Sequence, residues 1–278
     1  MQYNENISID LSTGTKIRYK EYSAHTPESI DIKITNQCDQ MCPHCHEEST
    51  PDGLSFDVKN ALNLLGPLPY PTEIALGGGN PGLCCQEINH LVKALPNCIF
   101  NVTLNLDHID YFNLIQANAF GVSIPKNKRF PSDFFRDIPN CVIHLIAGVN
   151  SFKDLEHYIL NMPRVLILGY KSVGRGANYF PKEELKTWQI KIGQIFNLIE
   201  TYKLKDHVVA FDNLALEQLD IKRFFSKQKY DTIYMGSDGA YSMYLDLVKM
   251  TYAKSSIDKQ YEIGDKNIET IFKHVKTI

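Results

Sequence analysis

The chain has 278 residues, 29 Lys+Arg against 32 Asp+Glu, a net charge of −3, and 44% hydrophobic residues. That composition excludes collagen-like, low-complexity and disordered chains, and the near-neutral balance argues against a protein built to coat nucleic acid. No apolar run approaches the roughly 18 residues of a membrane span, and Met1-Gln2-Tyr3-Asn4 opens no export signal, so the expectation is a cytoplasmic protein without a membrane segment.

In chain order, residues 7–11 and 16–19 read as a hairpin around the turn Ser12-Thr13-Gly14-Thr15. Ile30, Ile32 and Ile34 alternate with polar residues as one strand, which runs directly into a cysteine-rich loop. A helix follows over 56–65, with Ser55 as its N-cap and Gly66-Pro67 as its stop. Residues 73–76 form a short strand that ends in Gly77-Gly78-Gly79-Asn80-Pro81. Then come a helix over 86–95, a strand over 98–106, a helix over 107–118 and a strand over 119–124. Strands at 142–147 and 165–168 bracket a helix capped by Ser151 with Asp154 three residues on, a capping-box spacing. Pro181 opens the longest helix, whose apolar stripe is Leu185, Trp188, Ile192, Ile195, Phe196 and Ile199. A strand at 208–211 and a hairpin from 234–235 and 241–248 close the series.

Strand and helix alternate about six times from residue 29, which predicts an α/β fold around a parallel sheet, doubly wound or curled into a barrel. No linker or internal repeat interrupts it. The expected organisation is an N-terminal hairpin extension over 1–28, a core over 29–235 and a C-terminal extension over 236–278. In such sheets chemistry gathers at the C-terminal ends of strands. The cysteine loop and the glycine turn both lie there.

Seven cysteines are an odd number, and without an export signal they argue against a disulfide framework. Cys38, Cys42 and Cys45 make a C-x3-C-x2-C cluster. Three thiolates on one loop select zinc or an iron–sulfur cluster over hard cations. A zinc-stabilised binding module needs a fourth ligand, and His44 or His46 reaches the metal only from a contorted loop. A [4Fe–4S] cube held by three cysteines leaves one iron open to a ligand from outside the chain.

The C-x3-C-x2-C loop after one strand and the glycine turn after the next resemble the radical S-adenosylmethionine (SAM) superfamily. The resemblance runs from about residue 29 to 234 and implies a partial (β/α)6 TIM-type barrel with short hairpin extensions at both ends. It implies that Cys38, Cys42 and Cys45 bind a [4Fe–4S] cluster and that SAM chelates the open iron. His44 stands where the family places an aromatic or similar residue before the third cysteine. Gly77, Gly78 and Gly79 would let backbone approach the methionyl group, Asn80 replaces the family's usual Glu, and Asn105, Ser123 and Gly148 fall at strand ends that contact SAM. The implied activity is reductive cleavage of SAM to a 5′-deoxyadenosyl radical that abstracts hydrogen from a substrate. The chain would be oxygen-sensitive and would need an electron donor such as flavodoxin or ferredoxin.

Other features bear on the substrate. Lys171 and Arg175 lie among three glycines in a segment similar to one in radical SAM enzymes that modify peptides, which favours a peptide or protein; a nucleotide or other small metabolite is the alternative. Lys171, Arg175 and Asn213 are the candidate substrate contacts, while Asp212 suits a helix cap. Residues 236–246 resemble the start of an accessory-cluster extension, yet no cysteine follows Cys141. The Cys84-Cys85 pair reads as reduced thiols, residues 222–229 as an amphipathic helix, and His144 as a core histidine.

Overall fold

The computed structural model of the chain describes residues 2–4, 6–9, 16–20, 22–68 and 71–278. Strands β1 (Gln2–Asn4), β2 (Ile7–Ile9) and β3 (Lys16–Arg18) form a small antiparallel sheet. The turn expected at Ser12–Thr15 lies outside the described residues. The core begins with β4 (Ser29–Thr35), α1 (Val58–Leu65), β5 (Glu73–Gly78), α2 (Cys85–Ala94), β6 (Ile99–Asn105), β7 (Ala119–Ser123) and β8 (Val142–Ile146). It continues through α3 (Phe152–Asn161), β9 (Arg164–Leu168), α4 (Gly176–Tyr179), α5 (Lys182–Lys191), α6 (Gly193–Thr201) and β10 (Val208–Phe211). Then come α7 (Asn213–Gln218), α8 (Lys227–Ile233), β11 (Ser242–Asp246), β12 (Thr251–Ala253), β13 (Tyr261–Glu262) and α9 (Ile268–Val275). No helix among the described residues is long and apolar enough to cross a membrane.

One ten-stranded sheet runs β10-β9-β8-β7-β6-β5-β4-β11-β12-β13, parallel from β10 to β11 and antiparallel beyond. From β4 to β10 each strand lies beside its predecessor, seven in order where about six were expected, and the order never reverses. That excludes the doubly wound arrangement, whose strand order switches direction. The expected C-terminal hairpin is also different: 234–235 is not a strand, and β11 joins the main sheet parallel to β4.

With one direction of winding and right-handed crossovers, the helices fall on one face. That face is apolar. Ile30, Ile32 and Ile34 are at most 2% exposed and share a core with Leu76, Val102, Val122, Leu145 and Ile167 of the other strands. Leu65, Ile88, Leu155, Trp188 and Ile271 pack against them from the helices. Because side chains alternate along a strand, the intervening residues share the opposite face. Register aligns Asp31 and Lys33 there with Ala75 and Gly77, and with Tyr244 and Asp246. The row continues through Asn101, Thr103, Gly121, Ser123 and His144. The helix-free face is therefore polar, with small residues leaving room above it.

His144 belongs to that face rather than the core. A Cβ on Gly121 would lie 2.3 Å from its Cε1, so the glycine makes space for the ring. Local departures have similar causes. Asp57, not Ser55, caps α1, because Ser55 is drawn to the Thr35 hydroxyl at 2.9 Å. The helix expected over 107–118 is a tighter turn over Leu106–Leu114 broken at His108, whose ring is pulled toward the cysteine loop. The Ser151–Asp154 capping box forms as expected.

Candidate functional site

The cysteine loop leaves the C-terminal end of β4 and is closed on itself by its own backbone. Asn36 N–H donates to Leu54 O at 2.8 Å, Cys38 N–H to Thr50 O at 2.8 Å, and Thr50 N–H to Asn36 O at 3.0 Å. Inside that frame Cys45 N–H donates to Cys42 O at 3.1 Å. Cys38, Cys42 and Cys45 are free and half-buried. Burial pushes the Cys38 and Cys42 thiols up, the charge of Cys45 adds to the push, and Arg175 opposes it. Three thiolates here repel one another, so the donor set fits a cationic cluster that relieves the repulsion. No three His, Cys, Asp or Glu side chains among the described residues stand close enough to hold a single metal ion.

The glycine turn packs against the root of this loop. Gly79 N–H donates to Thr35 O and Asn80 N–H to Gln37 O, both at 2.7 Å. Gly78 has φ +120°, and a Cβ on it would lie 2.3 Å from Thr35 O, so only glycine fits. Gly77 is different: a Cβ there would meet nothing within 4 Å. Its freedom from side chain leaves open space beside Lys33, on the polar face. Asn80 is buried and its Oδ1 accepts from Gly82 N at 3.0 Å, while Asn105 Oδ1 accepts from Asp107 N at 2.9 Å. Ser123 ends β7 in register with His144, and Gly148 follows β8 with φ +86°. All of these stand at the same end of consecutive parallel strands as the cysteines.

The loop after β9 reaches the site in an unexpected way. Arg175 Nε donates to Cys42 O and Nη2 to Ser49 O, each at 3.0 Å, and its backbone N–H donates to Cys45 O at 3.1 Å. Lys171 Nζ donates to Ser256 Oγ at 2.7 Å and lies 3.3 Å from His46 Nε2. Asn213 Nδ2 donates to Asp238 Oδ1 at 2.6 Å, beside a groove of about 500 Å³ that Tyr230 and Tyr234 also line. The His44 and Tyr179 rings meet at a tilt of 58°, with centroids 5.7 Å apart.

Several residues here escape sequence reasoning. His108 pins the cysteine loop through Asp39 Oδ1 at 2.7 Å. Lys33 sits between Glu47 Oε2 at 2.5 Å and Asp246 Oδ2 at 3.3 Å, with His46 3.2 Å and the Tyr244 hydroxyl 3.3 Å from Glu47 Oε1. Burial alone would raise the Glu47 carboxyl, but the His46 hydrogen bond and Lys33 outweigh it and hold it down to about 2. Asp31 shows the reverse. It meets water on the helix-free face, yet burial pushes its carboxyl up to about 6, with Lys171 opposing and Asp238, Glu73 and Asp212 adding. The sequence signal available was a charged residue in mid-strand with strands on either side. Toward the N-terminal ends of β5–β9, at the opposite end of the sheet from the cysteine loop, Asn101, Thr103, His144 and Arg164 line a separate cavity of about 330 Å³.

A scan against models of known protein families finds no match, and no curated protein matches the chain. Among solved structures the chain is similar to SuiB of Streptococcus suis. The TM-score is 0.57 and the identity 12%, over 91% of this chain and 68% of that one. At that identity the likeness is one of fold: a mixed α/β architecture around a mostly parallel sheet.

Proposed function

We propose that this chain is a radical SAM enzyme. The observation that carries the reading is the docking of two loops: C-x3-C-x2-C at the end of β4 and the glycine turn at the end of β5, joined by Gly79 N–H to Thr35 O and Asn80 N–H to Gln37 O. The similarity to SuiB, whose fold is of the radical SAM type, supports it from the side of architecture. We infer that the single-direction sheet curls as a partial TIM-type barrel, its polar face forming the interior.

In this reading Cys38, Cys42 and Cys45 hold a [4Fe–4S] cluster. When bound, the cluster supplies one electron to the sulfonium of SAM, and through it hydrogen abstraction from a substrate C–H bond. The chain's own residues orient and enclose. Open space over Gly77 admits the methionyl end of SAM, with Asn80, Asn105, Ser123, Gly148 and His44 around the remainder. Asn80 and Asn105 each spend their carbonyl oxygen on a helix cap, leaving the amide group as the donor they present. The helix-free face around Asp31, beside Gly77, receives the substrate. The groove at Asn213 suits a peptide or protein substrate; a small metabolite is the second reading. The enzyme would work in the cytoplasm with a flavodoxin or ferredoxin as donor.

The test is direct. Protein reconstituted anaerobically with iron and sulfide, reduced with dithionite and given SAM, forms 5′-deoxyadenosine slowly even without substrate. Fully reconstituted protein that forms none contradicts the reading, and colourless protein holding one zinc per chain establishes the binding-module alternative.

A further inference from the structure

The loop that carries the cysteines has no regular secondary structure over 38–49, so carbonyls that its own turns leave unpaired depend on donors from elsewhere. The segment after β9 supplies them. Arg175 gives three hydrogen bonds: Nε to Cys42 O, Nη2 to Ser49 O, and backbone N–H to Cys45 O. Two of those acceptors belong to cysteines of the cluster. The two segments touch at the backbone, since a Cβ on Gly174 (φ +56°) would lie 2.6 Å from His46 O.

The clamp is itself braced. The Tyr170 hydroxyl donates to Gly176 O at 2.6 Å, and Tyr170 is locked to Gln218 by reciprocal backbone–amide bonds of 2.8 Å. A guanidinium offers rigid, forked donors and a permanent charge, so one side chain fixes two carbonyls and brings a cation to the sulfurs. Lys171, the other cation of this loop, donates to Ser256 rather than to the cysteine loop's backbone.

Resting on the radical SAM reading, we propose that Arg175 is a positioning residue of the cluster rather than a substrate contact. Its fork sets the cysteine loop, and its charge raises the cluster's reduction potential by stabilising the more negative, reduced state. The two roles separate by substitution. Arg175→Lys keeps a charge and loses the fork; Arg175→Gln loses the charge and keeps a short neutral donor.

Each variant is reconstituted, its folding checked by thermal melting, and its cluster titrated by EPR-monitored redox potentiometry. Iron release to a chelator is timed in parallel. The proposal expects the Gln variant's midpoint to shift negative while the Lys variant stays near the parent, and both variants to release iron several-fold faster. A Gln variant with the parent's midpoint, or a Lys variant that shifts as far as Gln, overturns the charge role. Parental iron release in both overturns the fork. Should the parent itself assemble no four-iron cluster, the radical SAM reading falls, and this proposal with it; an intact parental cluster indifferent to both variants removes this proposal alone.

Discussion

Cys42→Ala yields a folded chain that retains no cluster after anaerobic reconstitution, where the parent holds about four irons and four sulfides. The Cys42 backbone contributes its carbonyl to Arg175 Nε and to Cys45 N–H, and alanine preserves both bonds. Its half-buried side chain stands on a loop rather than in the core. The expected stability change is therefore within about 0.5 kcal/mol, the range of substitutions away from packed positions. Cluster loss is complete because only two thiolates remain where the cube draws on three. Cys85→Ala is the control: its thiol donates to Gly82 O at 2.8 Å, at the start of α2, and its removal leaves iron content unchanged. Iron and sulfide assays on both variants decide the matter, and equal loss in both means the ligand assignment is wrong.

Lys33→Met destabilises the chain by about 3–5 kcal/mol in urea unfolding, the cost of breaking a buried ion pair from one side. Lys33 is 3% exposed and Asp246 fully buried, and removing the ammonium leaves Asp246 and Glu47 facing each other without a cation. Adding Glu47→Gln and Asp246→Asn recovers most of the loss, since neutral amides relieve the repulsion. The pH dependence carries the sign. Glu47 is held down to about 2 from 4.5, so its contribution is fully present above pH 4.5 and fades as pH falls toward 2. The gap between parent and Lys33→Met narrows over that window. A loss below about 1 kcal/mol at pH 7 contradicts the network's role.

The network explains what the C-terminal segment does in a chain whose last cysteine is Cys141. Strand β11 pairs with β4 in register Asp246 to Lys33, and Tyr244 reaches Glu47 just beyond the cysteines. The extension thus braces the strand from which the cysteine loop departs. Cooperative unfolding of the core and β11 follows from that pairing.

Much of this architecture is legible in the sequence because its signals are local. Ile30, Ile32 and Ile34 announce β4 by alternation, and the recurring strand–helix order announces a parallel sheet. The cysteine spacing and the glycine turn are short motifs read without knowing the fold. What stays hidden is set by distant partners. Arg175 looks like a free cation in a glycine-rich loop until its acceptor, 133 residues earlier, is known. Alternation gives Asp31, Lys33 and His144 a side of the strand, but only the winding of the whole sheet decides that this side is helix-free. Likewise β11 looks like half of a closing hairpin, because its partner β4 lies at the other end of the chain.

Three cysteines that hold a cluster with one corner left for SAM carry a spectroscopic signature of their own. EPR of the dithionite-reduced, reconstituted protein, recorded with and without SAM, reads it. The parent is expected to give a reduced [4Fe–4S] signal whose g values change when SAM is added, and Cys42→Ala to give none. A spectrum indifferent to saturating SAM, or a fully loaded protein with no such signal, contradicts it.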